Sequence, residues 1–387
     1  MKWKLILGRA TLAIAVPAVF LIVLELLLRF ATTGSVYLFE TNPHYGDSNG
    51  VVRLRPNQST WWYGCHYQVN SAGFRMPHEL TDYPGMRILA LGDSITLGMG
   101  VRKTEDVWPN RLESILREKG YGSVEVINSG VQAWNLMTYD AKTNLVTAEF
   151  TRFVSEMGPV LKPKIVVYCI CLNDVPSQTH AAFEMDNSQN KARFAWFPEQ
   201  SREWLKRKAL YRLARDSYRE SRFRKLDFSA LSAAPEEDAF WEQVSQELGN
   251  LKKTVEALDA KLYCIIVPFS YQLLPANQKL LSVNRRWQAA LDGNRIPWKE
   301  LTGQFTPDNV LQFFSLGDYI HLNAAGHRLV ADEAFQLIEN QVSAQSRNRA
   351  SSEGLRRGSQ DLISPPSRTA KASNEIPGNL GHPAGAK

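Results

Sequence analysis

Two short stretches, far apart in the chain, hold residues that could do chemistry together. Gly92-Asp93-Ser94 follows directly on the apolar run Met86-Arg87-Ile88-Leu89-Ala90-Leu91, and Asp318-Tyr319-Ile320-His321 lies well downstream. A serine hydroxyl at a strand end is a latent nucleophile. A histidine can take its proton, and an aspartate three residues earlier can hold the imidazole in the useful tautomer. Each residue taken alone has a plainer use. Ser94 suits a helix N-cap, Asp318 suits a turn, and His321 suits a surface position.

Two further blocks turn the pair into a constellation. Val126-Ile127-Asn128-Ser129-Gly130-Val131-Gln132-Ala133-Trp134-Asn135 ends a second apolar run, and Cys171-Leu172-Asn173-Asp174 ends a third. In open α/β sheets the carboxyl ends of the strands form one edge, where ligands bind. All four blocks can converge there. The serine is not in a Gly-x-Ser-x-Gly elbow. Asp93 and Asp174 read as loop-shaping residues, and His327 as structural.

The elements that must position these blocks alternate. Arg87–Leu91, Ser123–Ile127, Ile165–Cys171 and Lys261–Val267 read as buried strands. Trp108–Lys119, Thr138–Leu161, Asp238–Leu258, Gln278–Leu291 and Ala324–Val342 read as helices. Continuous apolar strands separated by helices predict a parallel sheet covered on both faces, an α/β three-layer sandwich.

In the order and content of these four blocks the chain resembles the SGNH (GDSL-type) hydrolase superfamily, over about residues 86–340. The lead-in Asn70-Ser71-Ala72-Gly73-Phe74-Arg75 and the segment Glu25-Leu26-Leu27-Leu28-Arg29 are similar to membrane-anchored members. The resemblance implies a flavodoxin-like sheet, with Ser94 as nucleophile, His321 as base and Asp318 orienting it. It also implies an oxyanion hole built from the Ser94 N–H, the Ala133 N–H and the Asn173 side-chain amide, with Gly130 as the fallback donor. Two positions depart from the pattern: Ala133 and Cys171 stand where glycines are usual. A backbone N–H survives at Ala133 provided φ is negative there. No step of this chemistry calls for a cofactor or a metal, and no Cys/His cluster has zinc spacing.

The chain has 387 residues and a net charge of +6, but the charge is at its ends. Residues 1–34 carry +3 and residues 344–387 carry +4, which leaves about −1 for residues 35–343. The body is therefore not basic, and nucleic acid is not an expected partner. Four cysteines are too few for a disulfide scaffold; Cys169, Cys171 and Cys264 read as buried thiols in strands.

Ala10–Leu28 is almost continuously apolar and just long enough to cross a hydrocarbon core of about 30 Å. Positive charge before it predicts a cytoplasmic N-terminus and an exported body. Ala31-Thr32-Thr33-Gly34 offers a weak alternative as a signal-cleavage site. We thus expect a stub and anchor in residues 1–34, a loop-rich lead-in in 35–85, and a hydrolase domain in 86–343. An insertion spans about 176–235, and 344–387 reads as a disordered tail. Within the insertion, Arg202–Lys225 holds ten Lys/Arg against three acids, with Trp204, Tyr211 and Tyr218 seven residues apart. This reads either as a basic helix touching anionic lipid or acidic glycan, or as a cap packing its aromatic stripe on the domain.

The expected activity is a membrane-anchored extracytoplasmic serine esterase, with O-acetyl esters of surface or exported polysaccharide as the candidate substrate. Two alternatives share the fold: an O-acyltransferase with the same triad, and a non-catalytic glycan-binding or scaffold protein.

Overall fold

The computed structural model describes residues 2–46, 52–82, 85–132, 134–140, 145–174, 198–225, 238–306 and 308–361. The chain divides into a unit of residues 1–340 and a second of residues 341–387. The first unit is organised on a five-stranded parallel sheet with strand order β11-β10-β9-β5-β6. Its strands are β5 (Met86–Gly92), β6 (Val124–Asn128), β9 (Ile165–Ile170), β10 (Lys261–Ile266) and β11 (Trp298–Glu300). In register, Ile88 faces Val126 on one side, Leu89 faces Val166 on the other, and Cys169 faces Ile265. Every residue of β6 and β9 is buried. That is why β9 is an unbroken apolar run and why the one charged side chain of β6, Glu125, is paired with Arg87: helices cover both faces, so neither face can alternate.

The flanking helices form two sets, giving the three-layer α/β/α arrangement. α4 (Glu149–Leu161) packs on α7 (Asp238–Glu256), which packs on α8 (Ser282–Gly293). α3 (Trp108–Glu118) lies against α10 (Ala324–Asp361), where the Trp108 N–H donates to His327 Nδ1 at 3.1 Å. His327 is fully buried and lends a ring nitrogen to a helix start that has no side-chain cap of its own.

Before the sheet, the lead-in forms two antiparallel pairs. These are β1 (His44–Gly46) with β2 (Val52–Leu54), and β3 (Gln58–Trp62) with β4 (Cys65–Val69). α1 (Lys2–Thr33) precedes them. Its Arg9–Thr33 stretch is long and apolar enough to cross a membrane.

The structure departs from the sequence reading at several elements. Thr138–Leu161 is not one helix. Thr138–Asp140 (β7) pairs with Leu145–Thr147 (β8), and the helix starts only at Glu149. Thr138, Tyr139, Val146 and Thr147 are β-branched or aromatic, and they favour extended backbone. Gln278–Leu291 begins as a 3-10 segment, Pro275–Leu281, before α8. The basic stretch is two helices, α5 (Glu199–Lys206) and α6 (Ala209–Arg222), with a 3-10 turn over Phe223–Lys225. In the second unit the backbone stays helical through Asp361, past the point where composition predicts disorder. A helix nucleated on a packed stretch adds polar residues at little cost. The rest of that tail, and most of the insertion before Pro198, lie outside the described residues.

Candidate active site

β5 delivers Ser94, the candidate nucleophile. Its last residue, Gly92, has φ +152°, and a Cβ there would lie 2.1 Å from Thr96 Oγ1. Only glycine lets the chain turn so sharply into the short helix α2 (Ser94–Leu97). Asp93 caps that helix, its Oδ1 accepting the Ile95 N–H at 2.8 Å. Asp93 is thus the loop-shaping residue that the sequence suggests.

The turn after the serine is held by a residue that the sequence reading quoted only as part of the lead-in. Arg75 is fully buried. Its guanidinium donates to the carbonyls of Leu97 (3.1 Å), Gly98 (2.6 Å), His66 (2.7 Å) and Val101 (3.0 Å). It also stacks 4.0 Å from the Tyr67 ring centroid. A buried cation without a carboxylate is sustained by converging carbonyl dipoles and a ring face. Burial nevertheless pulls its pKa below the usual arginine value, and the neighbouring Tyr67 and Cys65 oppose that shift. No spacing rule reveals such a role, because the partners are all backbone.

The candidate base, His321, arrives from the loop before α10. His321 Nε2 lies 2.9 Å from Ser94 Oγ, and His321 Nδ1 lies 2.7 Å from Asp318 Oδ2. The other Asp318 oxygen accepts the N–H groups of Ile320 (3.0 Å) and His321 (3.1 Å). With Nδ1–H donated to the carboxylate, Nε2 is left to accept the serine proton. Burial works against charge on Asp318, but the His321 imidazole and these donors outweigh it and hold its pKa down at about 2. Burial likewise works against charge on His321, and Asp318 with Asp93 outweighs it, so the His321 pKa is raised.

The insertion backs this loop. Gly317 has φ +64°, and a Cβ there would stand 2.5 Å from Asp216 Cα in α6. Tyr319 donates its hydroxyl to the Arg219 carbonyl at 2.9 Å, and its ring stacks on Phe223 at 5.4 Å. Asp318 therefore sits in a loop whose neighbours on both sides press against α6.

The candidate oxyanion donors come from the other two strand ends. Val131 N–H donates to the Gly92 carbonyl at 3.1 Å, and Ser129 Oγ donates to the Ala90 carbonyl at 2.7 Å. These bonds dock the second loop on the nucleophile strand. Ala133 lies outside the described residues. The fallback, Gly130, gives its N–H to Asn128 Oδ1 at 3.0 Å, so that donor is already engaged. Asn173 lies in the 3-10 turn Leu172–Asp174 that follows β9. That turn is fixed by Asp174, which accepts from Tyr168 Oη (2.6 Å) and from the Cys171 N–H (2.7 Å). Burial, with Asp93 adding to it, raises the Asp174 pKa to about 8, so this carboxyl is protonated at neutral pH. Cys171 is buried, and burial pushes its thiol well above the usual range, as it does for Cys169 and Cys264. Such thiols are inert. Among the described residues, no group of three or more His, Cys, Asp or Glu is placed to hold a metal ion.

The sequence also matches a known family, and several solved structures are similar to the chain. The model of the GDSL-like Lipase/Acylhydrolase family matches residues 90–329. Among solved structures, the chain is similar to the acetyl xylan esterase AlAXEase (16% identity, TM-score 0.38), over 65% of this chain and 100% of that one. It is similar to a catalytic mutant of Axe2, an acetylxylan esterase from Geobacillus stearothermophilus (14%, TM-score 0.39, covering 66% and 94%). A carbohydrate acetylesterase family member from Sinorhizobium meliloti is a further neighbour (12%, TM-score 0.38, covering 67% and 98%). No curated protein matches the sequence. The family match covers more than half of the chain and includes both Ser94 and the loop that carries His321. The chain belongs to the GDSL-like (SGNH) lipase/acylhydrolase family and is a serine ester hydrolase.

Proposed function

We propose that the protein is a membrane-anchored, extracytoplasmic esterase that removes O-acetyl groups from surface or exported polysaccharide through an acyl-enzyme. The observation that carries the chemistry is the hydrogen-bonded line from Ser94 through His321 to Asp318. His321 accepts the Ser94 proton as the oxygen attacks the ester carbonyl. The resulting imidazolium is stabilised by Asp318, and the proton passes to the departing sugar hydroxyl. Water then attacks the acetyl-serine, and His321 again carries the proton.

The Ser94 N–H, the Ala133 N–H and the Asn173 amide are the proposed donors to the oxyanion, each worth about 3–4 kcal/mol in the transition state. The carbohydrate esterases among the similar structures suggest the substrate class. The anchor is supported by the apolar stretch Arg9–Thr33, and the exported orientation by the positive charges before it.

The test uses the full chain in detergent with a fluorophosphonate probe, followed by acetyl-release assays on acetylated xylan and mannan. Labelling at Ser94 together with acetate release is the expected result. Failure of the folded protein to label at Ser94 sinks the nucleophile assignment. Release from simple aryl acetates but from no acetylated glycan sinks the substrate assignment.

A further inference from the structure

The N-terminal helix and the insertion meet at a polar joint. The Glu25 carboxylate of α1 accepts the N–H groups of Ala209 (2.9 Å) and Leu210 (3.0 Å), the first residues of α6. Arg29, only 3% exposed, donates to Glu25 (2.8 Å), to the Tyr37 carbonyl (2.7 Å) and to the Arg207 carbonyl (3.2 Å). Its guanidinium also stacks 4.5 Å from the Tyr37 ring centroid. Below this joint, every residue of α1 from Arg9 to Val23 is exposed.

The joint redraws the edge of the apolar span. A glutamate and an arginine are costly in hydrocarbon, and here both are occupied by the domain. The lipid-facing stretch therefore ends at Glu25, one turn earlier than the apolar run suggests. The corner Arg207–Leu210 stands at that level.

Around that corner the surface has the composition of a membrane interface. Leu38 is 67% exposed, Phe39 84% and Trp204 59%. Tyr37, beside the first two, is tied to the joint by Arg29 and also accepts from Arg212 at 2.9 Å. Lys208 Nζ lies 4.3 Å over the Trp204 ring. Amphipathic rings at headgroup depth with an adjacent cation are how proteins seat on bilayers. The stretch Arg202–Lys225 carries ten Lys/Arg against three acids, which suits anionic lipid.

We propose that the corner formed by Leu38, Phe39, Trp204 and Lys208 rests on the anionic phospholipid headgroups of the membrane that α1 enters. Glu25 marks the boundary. The inference rests on the anchored reading given above and adds a second point of contact to it.

The full chain reconstituted in vesicles tests this. An environment-sensitive fluorophore is placed at Val16→Cys, Phe39→Cys, Trp204→Cys or Glu118→Cys; the four native cysteines are buried. Glu118 ends α3, at the amino edge of the sheet. Vesicles are phosphatidylcholine alone, or mixed 3:1 with phosphatidylglycerol, with a shallow spin-labelled lipid as quencher for 39, 204 and 118 and a lipid labelled deep in its acyl chain for 16, which lies nine residues below Glu25. Strong quenching at 39 and 204, and little at 118, is expected. Lys208→Gln should weaken the effect at 39 about fivefold in the anionic vesicles and leave it unchanged in the neutral ones. Quenching at 16 with 39 and 204 no different from 118 would overturn the inference and leave the anchor standing. No quenching at 16 would remove the anchor and the inference together. A label at 204 that responds to soluble polygalacturonate and ignores vesicles would assign the corner to glycan instead.

Discussion

The nucleophile and its base are held by different kinds of structure. The Ser94 turn is built into the sheet: Gly92 makes it possible, Asp93 caps it, and Arg75 clamps its far end from within the core. The His321 loop is buttressed from outside the sheet by α6, through Asp216, Arg219 and Phe223. That helix is seated in turn on α1 through Glu25. The serine's position therefore depends on core integrity, whereas the histidine's depends on an inserted helix. The same reaction can be weakened through either route, with different signatures.

The largest effects come from the line of reacting atoms, where the two regions meet. Ser94→Ala or His321→Ala should each lower kcat by about 10⁶-fold, and Asp318→Asn by about 10⁴-fold. Single-turnover acetate release reads these losses. Asp318→Asn carries a further expectation. Because Asp318 raises the His321 pKa, the acid limb of kcat/KM in the native enzyme should lie above the ordinary imidazole value of about 6.5. It should move down in the Asn variant. An unmoved limb would mean that another group titrates.

Next in size is the core clamp. Arg75→Ala takes the guanidinium from four carbonyls, of which those of Gly98 and His66 keep a second donor in the Val101 N–H and the Thr104 hydroxyl, and should cost about 3 kcal/mol of unfolding free energy in urea. If stability is lost and the residual folded enzyme keeps its pH profile, Arg75 acts on the nucleophile side alone.

Asp174 gives a signature in pH. Its folded pKa, about 8, lies above the unfolded value, so its contribution to stability is greatest in acid and declines as pH rises from about 4 to 8. Denaturation midpoints of Asp174→Asn should lack that decline. A slope identical to the native one would mean that the carboxyl is ionised in the folded protein.

The smallest expected change tests the insertion. Tyr319→Phe removes one hydroxyl bond to Arg219, about 1 kcal/mol. It should reduce kcat several-fold, with KM and global stability nearly unchanged. Loss of stability without loss of kcat would make the contact merely structural.

How much was legible beforehand follows the range of each interaction. The four longer strands of the sheet show as mainly apolar runs because helices cover both faces. Asp318 and His321 show because three residues separate them. Trp298–Glu300 escapes notice because a three-residue edge strand has no period to read. The β7–β8 pair was hidden by apolar residues that also fit a helix.

The break between α5 and α6 has no glycine or proline to announce it. Its cap is a carboxylate from Glu25, 184 residues away. Arg75 was opaque for the same reason, since its partners are carbonyls of residues no motif mentions. Of the two readings of the aromatic stripe, the exposure of Trp204 and Tyr218, which lie on separate helices, speaks against inward packing at those two rings.

The Glu25 cap has one more consequence: α6 acts as a ruler. From Ala209, where the cap sits, to Asp216 and Arg219, which back the catalytic loop, is two to three turns, or about 10–15 Å at 1.5 Å per residue. On the anchored reading, the reacting centre is confined to a thin layer above the lipid. Encounter becomes a search in a plane, and a long glycan is available only where it threads through that layer. Turnover should then follow how far a chain has emerged rather than its bulk concentration.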